Sequence, residues 1–141
     1  HLQKGHAVVF ADVDGDGDQD VFAQMGGAFG GDAFHDALYE NPGTGRHWLD
    51  VRLIGETSNR SAIGALLRVT ITVDGASRTL HRRVGSGGSF GANPLRQHFG
   101  LGSADRVDRL EVTWPVTGET RTFEGLEVDR VVTIREGEGR E

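Results

Sequence analysis

The strongest chemical signal in the chain is a run of five aspartates in nine residues, DVDGDGDQD at positions 12–20. Five like charges at this density repel one another, and a hard divalent cation with oxygen ligands removes the repulsion. The alternate spacing matches loop positions 1, 3, 5, 7 and 9 of a calcium-binding loop, and Gly17 at position 6 allows the sharp turn. The pattern predicts calcium bound by the side chains of Asp12, Asp14, Asp16 and Asp20 and by the backbone carbonyl of Asp18.

The flanks of this loop argue against an EF-hand. An EF-hand loop places a bidentate Glu at position 12, whereas this chain has Ala23 there. The adjoining segments, residues 7–11 and 21–23, are short, apolar and rich in β-branched and aromatic residues. We therefore expect the loop to join two antiparallel strands and to bind calcium weakly. An acidic surface turn that holds no ion is the simpler alternative.

The length and amino-acid composition of the chain limit the fold that positions this loop. Its 141 residues are 36% hydrophobic and include 22 glycines but only 3 prolines, which favours many tight turns between short strands. The net charge of −6 is unlike the basic footprint of a nucleic-acid-binding protein, and no apolar run approaches the length of a membrane span. The chain has no cysteine, so disulfides and thiol chemistry are excluded.

Alternating apolar and polar residues predict further strands from residue 48 onwards. Residues 65–73 place Leu67, Val69, Ile71 and Val73 on one face, and the Asp74-Gly75 pair that follows predicts a hairpin turn. The other candidate strands are 48–54, 78–84, 109–114, 120–123 and 130–135, and residues 37–39 form either a short strand or one helical turn. We expect Val69 and Ile71 to be buried together with Val112, Trp114 and Val132. Short strands separated by glycine turns predict an all-β sandwich or barrel.

Other candidate site residues carry weaker signals. The six histidines include no pair at zinc-ligand spacing. His98 stands out because it follows Arg96 beside the glycine-rich segment 85–91, which lacks the features of a P-loop or a nucleophile elbow. Arg96 and His98 either line a pocket or hydrogen-bond to the carbonyls of a turn. Asp32 and Asp36 either add metal ligands or cap turns.

Two families resemble this sequence. Residues 10–22, FADVDGDGDQDVF, resemble an FG-GAP (VCBS-type) repeat, whose Asp-rich loop binds calcium within a β-propeller blade. The remainder resembles the ASPIC/UnbV domain, which follows such propellers in cartilage acidic protein and in many secreted bacterial proteins. The matching stretches are HWL at 47–49, SNR at 58–60, IGA at 63–65, GSG at 85–87, RQHFGLG at 96–102 and LEVTWP at 110–115.

The resemblance implies an organisation in two parts. Residues 1–46 would be the C-terminal fragment of an FG-GAP/VCBS repeat region, and residues 47–141 an ASPIC/UnbV domain. The expected fold is all-β, with a terminal β-propeller-like calcium-binding hairpin packed on a β-sandwich. Because one strand–loop–strand unit cannot bury its own apolar face, we expect further propeller blades to precede it in the parent chain.

The expected function is that of a non-catalytic, calcium-binding adhesion or interaction module, in which Ca²⁺ stabilises the Asp-rich loop. The resemblance implies a secreted or cell-surface location, and a protein or glycan is the expected partner, without nucleic acid or a membrane span. The alternative is part of an enzyme with a pocket between propeller and sandwich, lined by Arg96 and His98. The lack of a recognised nucleophile–base or acid–base motif favours the non-catalytic module.

Overall fold

The computed structural model describes residues 5–27, 29–31, 33–88 and 93–137, and these residues form strands, turns and loops. The strands are β1 (Gly5–Ala11), β2 (Asp20–Met25), β3 (Ala37–Tyr39), β4 (His47–Ile54), β5 (Leu66–Val73), β6 (Ala76–Arg83), β7 (Gln97–Gly102), β8 (Arg106–Thr113), β9 (Thr120–Glu127) and β10 (Arg130–Arg135). Within the described ranges there is no helix that could cross a membrane. The predicted all-β class is confirmed.

The strands form three open sheets in two compact units. One unit comprises residues 1–44 with 86–94 and carries the sheet β1-β2-β3. The other comprises residues 45–85 with 95–141 and carries the sheets β10-β4-β7 and β6-β5-β8-β9. In the first unit β1 and β2 pair antiparallel around the acidic loop, with Ala11 opposite Asp20. The expectation of an antiparallel strand pair at this loop is therefore confirmed.

The core of the second unit lies between its two sheets. Strand β5 contributes Leu67, Val69 and Ile71, each at most 1% exposed, while Leu66 on the opposite face is 50% exposed. The sheet β10-β4-β7 contributes apolar side chains to the same core cluster, including Leu49, Val51, Phe99 and Ile134. The predicted neighbours Val112 and Trp114 are also buried, whereas Val132 is only partly buried and packs against the core cluster. This arrangement is a two-layer β-sandwich.

Strand β4 turns one set of side chains toward the core and the other set toward the outer face of its sheet. Its alternation points Leu49, Val51 and Leu53 into the core, so Asp50 and Arg52 lie on the opposite face. Strand β10 pairs with β4 in parallel, and β7 pairs with it antiparallel, with Asp50 opposite His98. The polar residues of β4 are thereby placed beside those of β7.

The turn that follows β4 has a tightly fixed backbone. The N–H of Gly55 donates to the Arg60 carbonyl at 3.1 Å, and a Cβ at Gly55 would lie 2.1 Å from the Asn59 carbonyl oxygen. The Asn59 side chain binds both the N–H and the carbonyl of Ile63, each at 2.9 Å. Ala62, buried in this turn, has a φ of 52°. Residues 55–64 therefore form a rigid turn rather than an adaptable loop.

Candidate functional site

The acidic loop connects β1 to β2, and both of its ends are fixed by the strand pairing. Within the loop Gly15 and Gly17 have φ values of 81° and 95°, a region that residues with a Cβ rarely adopt. Gly17 thus supplies the turn expected at loop position 6. The chain reverses direction there, which brings the first and last aspartates of the loop close together.

Three of the five aspartates converge on one point. Asp12, Asp14 and Asp20 each offer a carboxylate oxygen, and these oxygens all lie within 4.8 Å of one another. Calcium–oxygen distances are about 2.3–2.6 Å, so two ligands on opposite sides of one ion are at most about 5 Å apart. The three carboxylates therefore fit a single ion of this size, and an all-oxygen donor set is the kind that calcium prefers.

Asp16 and Asp18 are engaged in hydrogen bonds with the backbone of their own unit. An Asp16 carboxylate oxygen accepts the N–H of Asp18 at 2.8 Å. An Asp18 carboxylate oxygen accepts the N–H of Thr44 at 3.2 Å. Neither belongs to the group of three converging carboxylates, so ligation by the Asp16 side chain and by the Asp18 carbonyl stays a prediction.

The converging aspartates also organise the backbone of the loop. Asp12 accepts the N–H of Gly15 at 2.7 Å, and Asp14 accepts the N–H of Asp16 at 3.2 Å. Each bond occupies Oδ1 of its carboxylate, and these short turns are typical of aspartate in loops. A carboxylate has two oxygens with two acceptor sites each, so both side chains keep capacity for a cation.

Asp20 is the buried member of the group, with an exposed fraction of 2%. Its Oδ1 accepts the N–H of Asn41 and its Oδ2 the N–H of Val13, both at 2.9 Å. The Asn41 bond, followed by the Val13 bond, lowers the pKa of Asp20 below its ordinary value, against the opposing effect of burial. The carboxylate is thereby kept ionised. The role of Asn41 was not predicted, since nothing in the sequence places it beside the loop.

The two further aspartates considered as ligands differ in outcome. An Asp36 carboxylate oxygen accepts the N–H of Met25 at 2.9 Å, so Asp36 caps the end of β2. Asp32 lies outside the described residues.

A second polar cluster lies on the outer face of the sheet β10-β4-β7. Asp50, only 1% exposed, forms an ion pair with Arg96, whose Nε lies 2.7 Å from Oδ2, and accepts the Nδ1–H of His98 at 2.9 Å. The Trp48 ring stacks on the His98 ring, with centroids 6.3 Å apart. The expectation that Arg96 and His98 bind turn carbonyls is therefore wrong. Their common partner is a buried carboxylate on the neighbouring strand.

The Asp50 carboxylate fixes the orientation of His98. Because Nδ1–H donates to Asp50, Nε2 is the nitrogen left for other partners. A fixed ring with a free Nε2 is not by itself a catalytic site, because catalysis also needs a reacting group and a substrate pocket. The enzymatic alternative stays a prediction. Sequence reasoning missed Asp50, although a charged residue between Leu49 and Val51 in an alternating strand marks the outer face.

Fold and site together define an all-β protein with a two-sheet sandwich and a separate acidic hairpin. The family model described as ASPIC and UnbV matches residues 55–141, which is more than half of the chain. The chain belongs to the ASPIC and UnbV family. A search of curated proteins found no match. The family match begins after β4 and does not include the acidic loop, for which the FG-GAP/VCBS resemblance remains a hypothesis.

Proposed function

We propose that the acidic loop binds calcium and that this chain is a non-catalytic, extracytoplasmic interaction module stabilised by the ion. The observation that carries the proposal is the convergence of Asp12, Asp14 and Asp20 on a point that fits one cation. An FG-GAP/VCBS repeat at the end of a β-propeller is the architecture we propose for this hairpin. A protein or glycan surface is the partner we propose for the module.

The chain's own residues explain how the ion would act. Asp12 and Asp14 lie at the start of the loop, whereas Asp20 begins β2 and also binds Asn41 and Val13. A cation held by all three carboxylates cross-links the two ends of the loop and cancels their mutual repulsion. An ion that binds only the folded loop stabilises it by a free energy that grows with the logarithm of the calcium concentration above the dissociation constant, so tighter calcium binding gives a more stable hairpin.

The set of calcium ligands in the loop also suggests where in or outside the cell the protein works. Ala23 occupies loop position 12, so the bidentate glutamate of tight calcium sites is absent. We expect a dissociation constant of about 10⁻⁴–10⁻³ M, the range of extracellular calcium modules. A site this weak stays nearly empty at cytosolic calcium and fills outside the cell, which supports a secreted or cell-surface location.

Hydrogen exchange of backbone amides tests the proposal within the intact chain. At calcium about ten times the dissociation constant, amides of β1 and β2 should exchange about tenfold more slowly, because the ion must leave before the hairpin opens. Amides of β8 and β9, in the other unit, provide an internal reference that should not change.

Two variants make the exchange experiment specific. Asp12→Asn removes a converging carboxylate charge and should abolish most of the calcium protection. Glu119→Gln removes one negative charge from the turn before β9 and should leave the protection intact. Equal protection of β1 and β8 amides, or an unchanged response in Asp12→Asn, would contradict calcium binding at this loop.

A further inference from the structure

The second unit contains a cleft whose lining differs in charge from the rest of this acidic chain. It has a volume of about 340 Å³ and lies where β4 meets the rigid turn 55–64. Its polar lining consists of Arg52, Arg60, Arg96 and Ser61, and its apolar lining includes Ile54 and Leu95. Among the described residues no acidic side chain lines it, although the chain as a whole carries a net charge of −6.

The positive charge of the cleft is largely uncompensated. Within the described ranges, the side chains of Arg52 and Arg60 form neither an ion pair nor a hydrogen bond. Arg96 contacts the Asp50 carboxylate through Nε at 2.7 Å, and its two Nη groups have no bond within those ranges. Guanidinium groups of like charge around one cleft repel one another unless an anion lies between them.

The arginines are presented by rigid parts of the fold. Arg60 and Ser61 belong to the turn that Gly55 and Asn59 fix, Arg52 belongs to β4, and Asp50 holds Arg96. Holding the donors in place before binding lowers the entropic cost of taking up a ligand. The backbone positions that carry the arginines are therefore fixed before binding, and the Arg96 side chain is also held by Asp50.

Volume and lining define the class of ligand. Arginine binds carboxylate, sulfate and phosphate groups through paired N–H donors. The cleft is at the small end of the range of about 300–1,000 Å³ for organic ligands, but it is larger than an inorganic anion needs. Ile54 and Leu95 add apolar surface that can pack against the body of a ligand.

We propose that this cleft binds a small organic oxyanion, namely a sugar-sized molecule that carries a carboxylate, a sulfate ester or a phosphate ester. Arg52 and Arg60 bind the oxyanion, Arg96 contributes its Nη groups, and Ser61 adds a hydroxyl. The site is independent of calcium, since every lining residue that the structure describes belongs to the second unit.

Isothermal titration of the full chain tests the proposal with glucuronate, glucose 6-sulfate and glucose 6-phosphate. At least one of these should bind at a single site with a dissociation constant below about 1 mM. Neutral glucose should not bind, and inorganic sulfate should bind at least about tenfold more weakly than the best organic anion. Comparison of the three anionic sugars identifies which oxyanion the cleft prefers.

Variants locate the binding. Arg52→Gln and Arg60→Gln should each weaken the best ligand by about tenfold or more, because each removes a charge-assisted hydrogen bond. Both variants should fold, since neither side chain makes an ion pair within the described ranges. Arg78→Gln, which changes an exposed arginine of β6 outside the cleft, should bind like the unmodified chain. No binding by any of the three sugars, or equal losses in Arg78→Gln and Arg52→Gln, would overturn the proposal.

Discussion

Replacing Leu67 with alanine is expected to destabilise the sandwich by about 2–5 kcal/mol. Leu67 is only 1% exposed and is among the largest fully buried side chains of the core. Its removal leaves a cavity between the two sheets that the closely packed neighbours cannot fill. The difference in the free energy of unfolding, from urea denaturation of both proteins, measures this loss.

The adjacent residue provides a matched control. Leu66 has the same side chain on the same strand, but it is 50% exposed on the opposite face. Leu66→Ala should therefore change the free energy of unfolding by less than about 1 kcal/mol. Equal losses at the two positions, or a larger loss at Leu66, would mean that β5 is displaced by one residue, since such a slip exchanges the two faces.

The second large effect is expected at Glu136, a buried carboxylate that ties the end of β10 to the rigid turn after β4. Its Oε2 accepts the N–H of Ser58 at 2.7 Å and the N–H of Glu56 at 2.9 Å, and its Oε1 accepts the Ser58 hydroxyl at 2.8 Å. Burial raises the pKa of Glu136, but the donors of Ser58, Glu56 and Thr57 outweigh it, and the net pKa lies below the ordinary 4.5.

Glu136→Gln should cost about 1–3 kcal/mol at neutral pH, because an amide group replaces an acceptor oxygen and leaves buried N–H donors unpaired. Since the folded pKa is lowered, the stabilisation from ionised Glu136 is present above the unfolded pKa and is lost as the pH falls through the folded pKa. The stability difference between the two proteins should therefore shrink in acid.

Denaturant unfolding at neutral pH and in acid measures this change. Glu124→Gln is the control, since Glu124 is an exposed partner of Arg109 and contributes little to stability. A gap between Glu136→Gln and the unmodified protein that stays constant with pH would contradict the role assigned to the Glu136 charge.

Local patterns predicted most of the strands, but they missed β7 and did not predict how strands far apart in the chain are paired. The alternation in β5 correctly separated Leu67 from Leu66, and Asp74-Gly75 forms the expected turn, with φ values of 51° and 77°. The parallel pairing of β10 with β4 joins segments about 80 residues apart. No periodicity within either strand encodes that choice, which depends on how the two apolar faces pack.

In the candidate site, too, local features were predicted from the sequence and long-range contacts were not. The spacing of the aspartates predicted one site for Asp12, Asp14, Asp16, Asp18 and Asp20, because the loop positions are local, and the carboxylates of Asp12, Asp14 and Asp20 lie together in the structure. The bonds of Asp20 to Asn41 and of Asp50 to His98 connect residues 21 and 48 positions apart. Such partners depend on strand register, so the sequence pointed to Arg96 and His98 without revealing the carboxylate that holds them.

Isothermal titration of the chain with calcium and then with magnesium tests the central proposal most directly. We expect one calcium site with a dissociation constant of about 10⁻⁴–10⁻³ M and weaker magnesium binding, because magnesium needs a smaller octahedral set of ligands and keeps its waters. Asp14→Asn should abolish the heat of calcium binding, whereas Glu119→Gln should preserve it. A chain that binds no calcium at millimolar concentration, binds it with sub-micromolar affinity, or binds magnesium equally well would contradict the weak extracellular calcium site proposed for this loop.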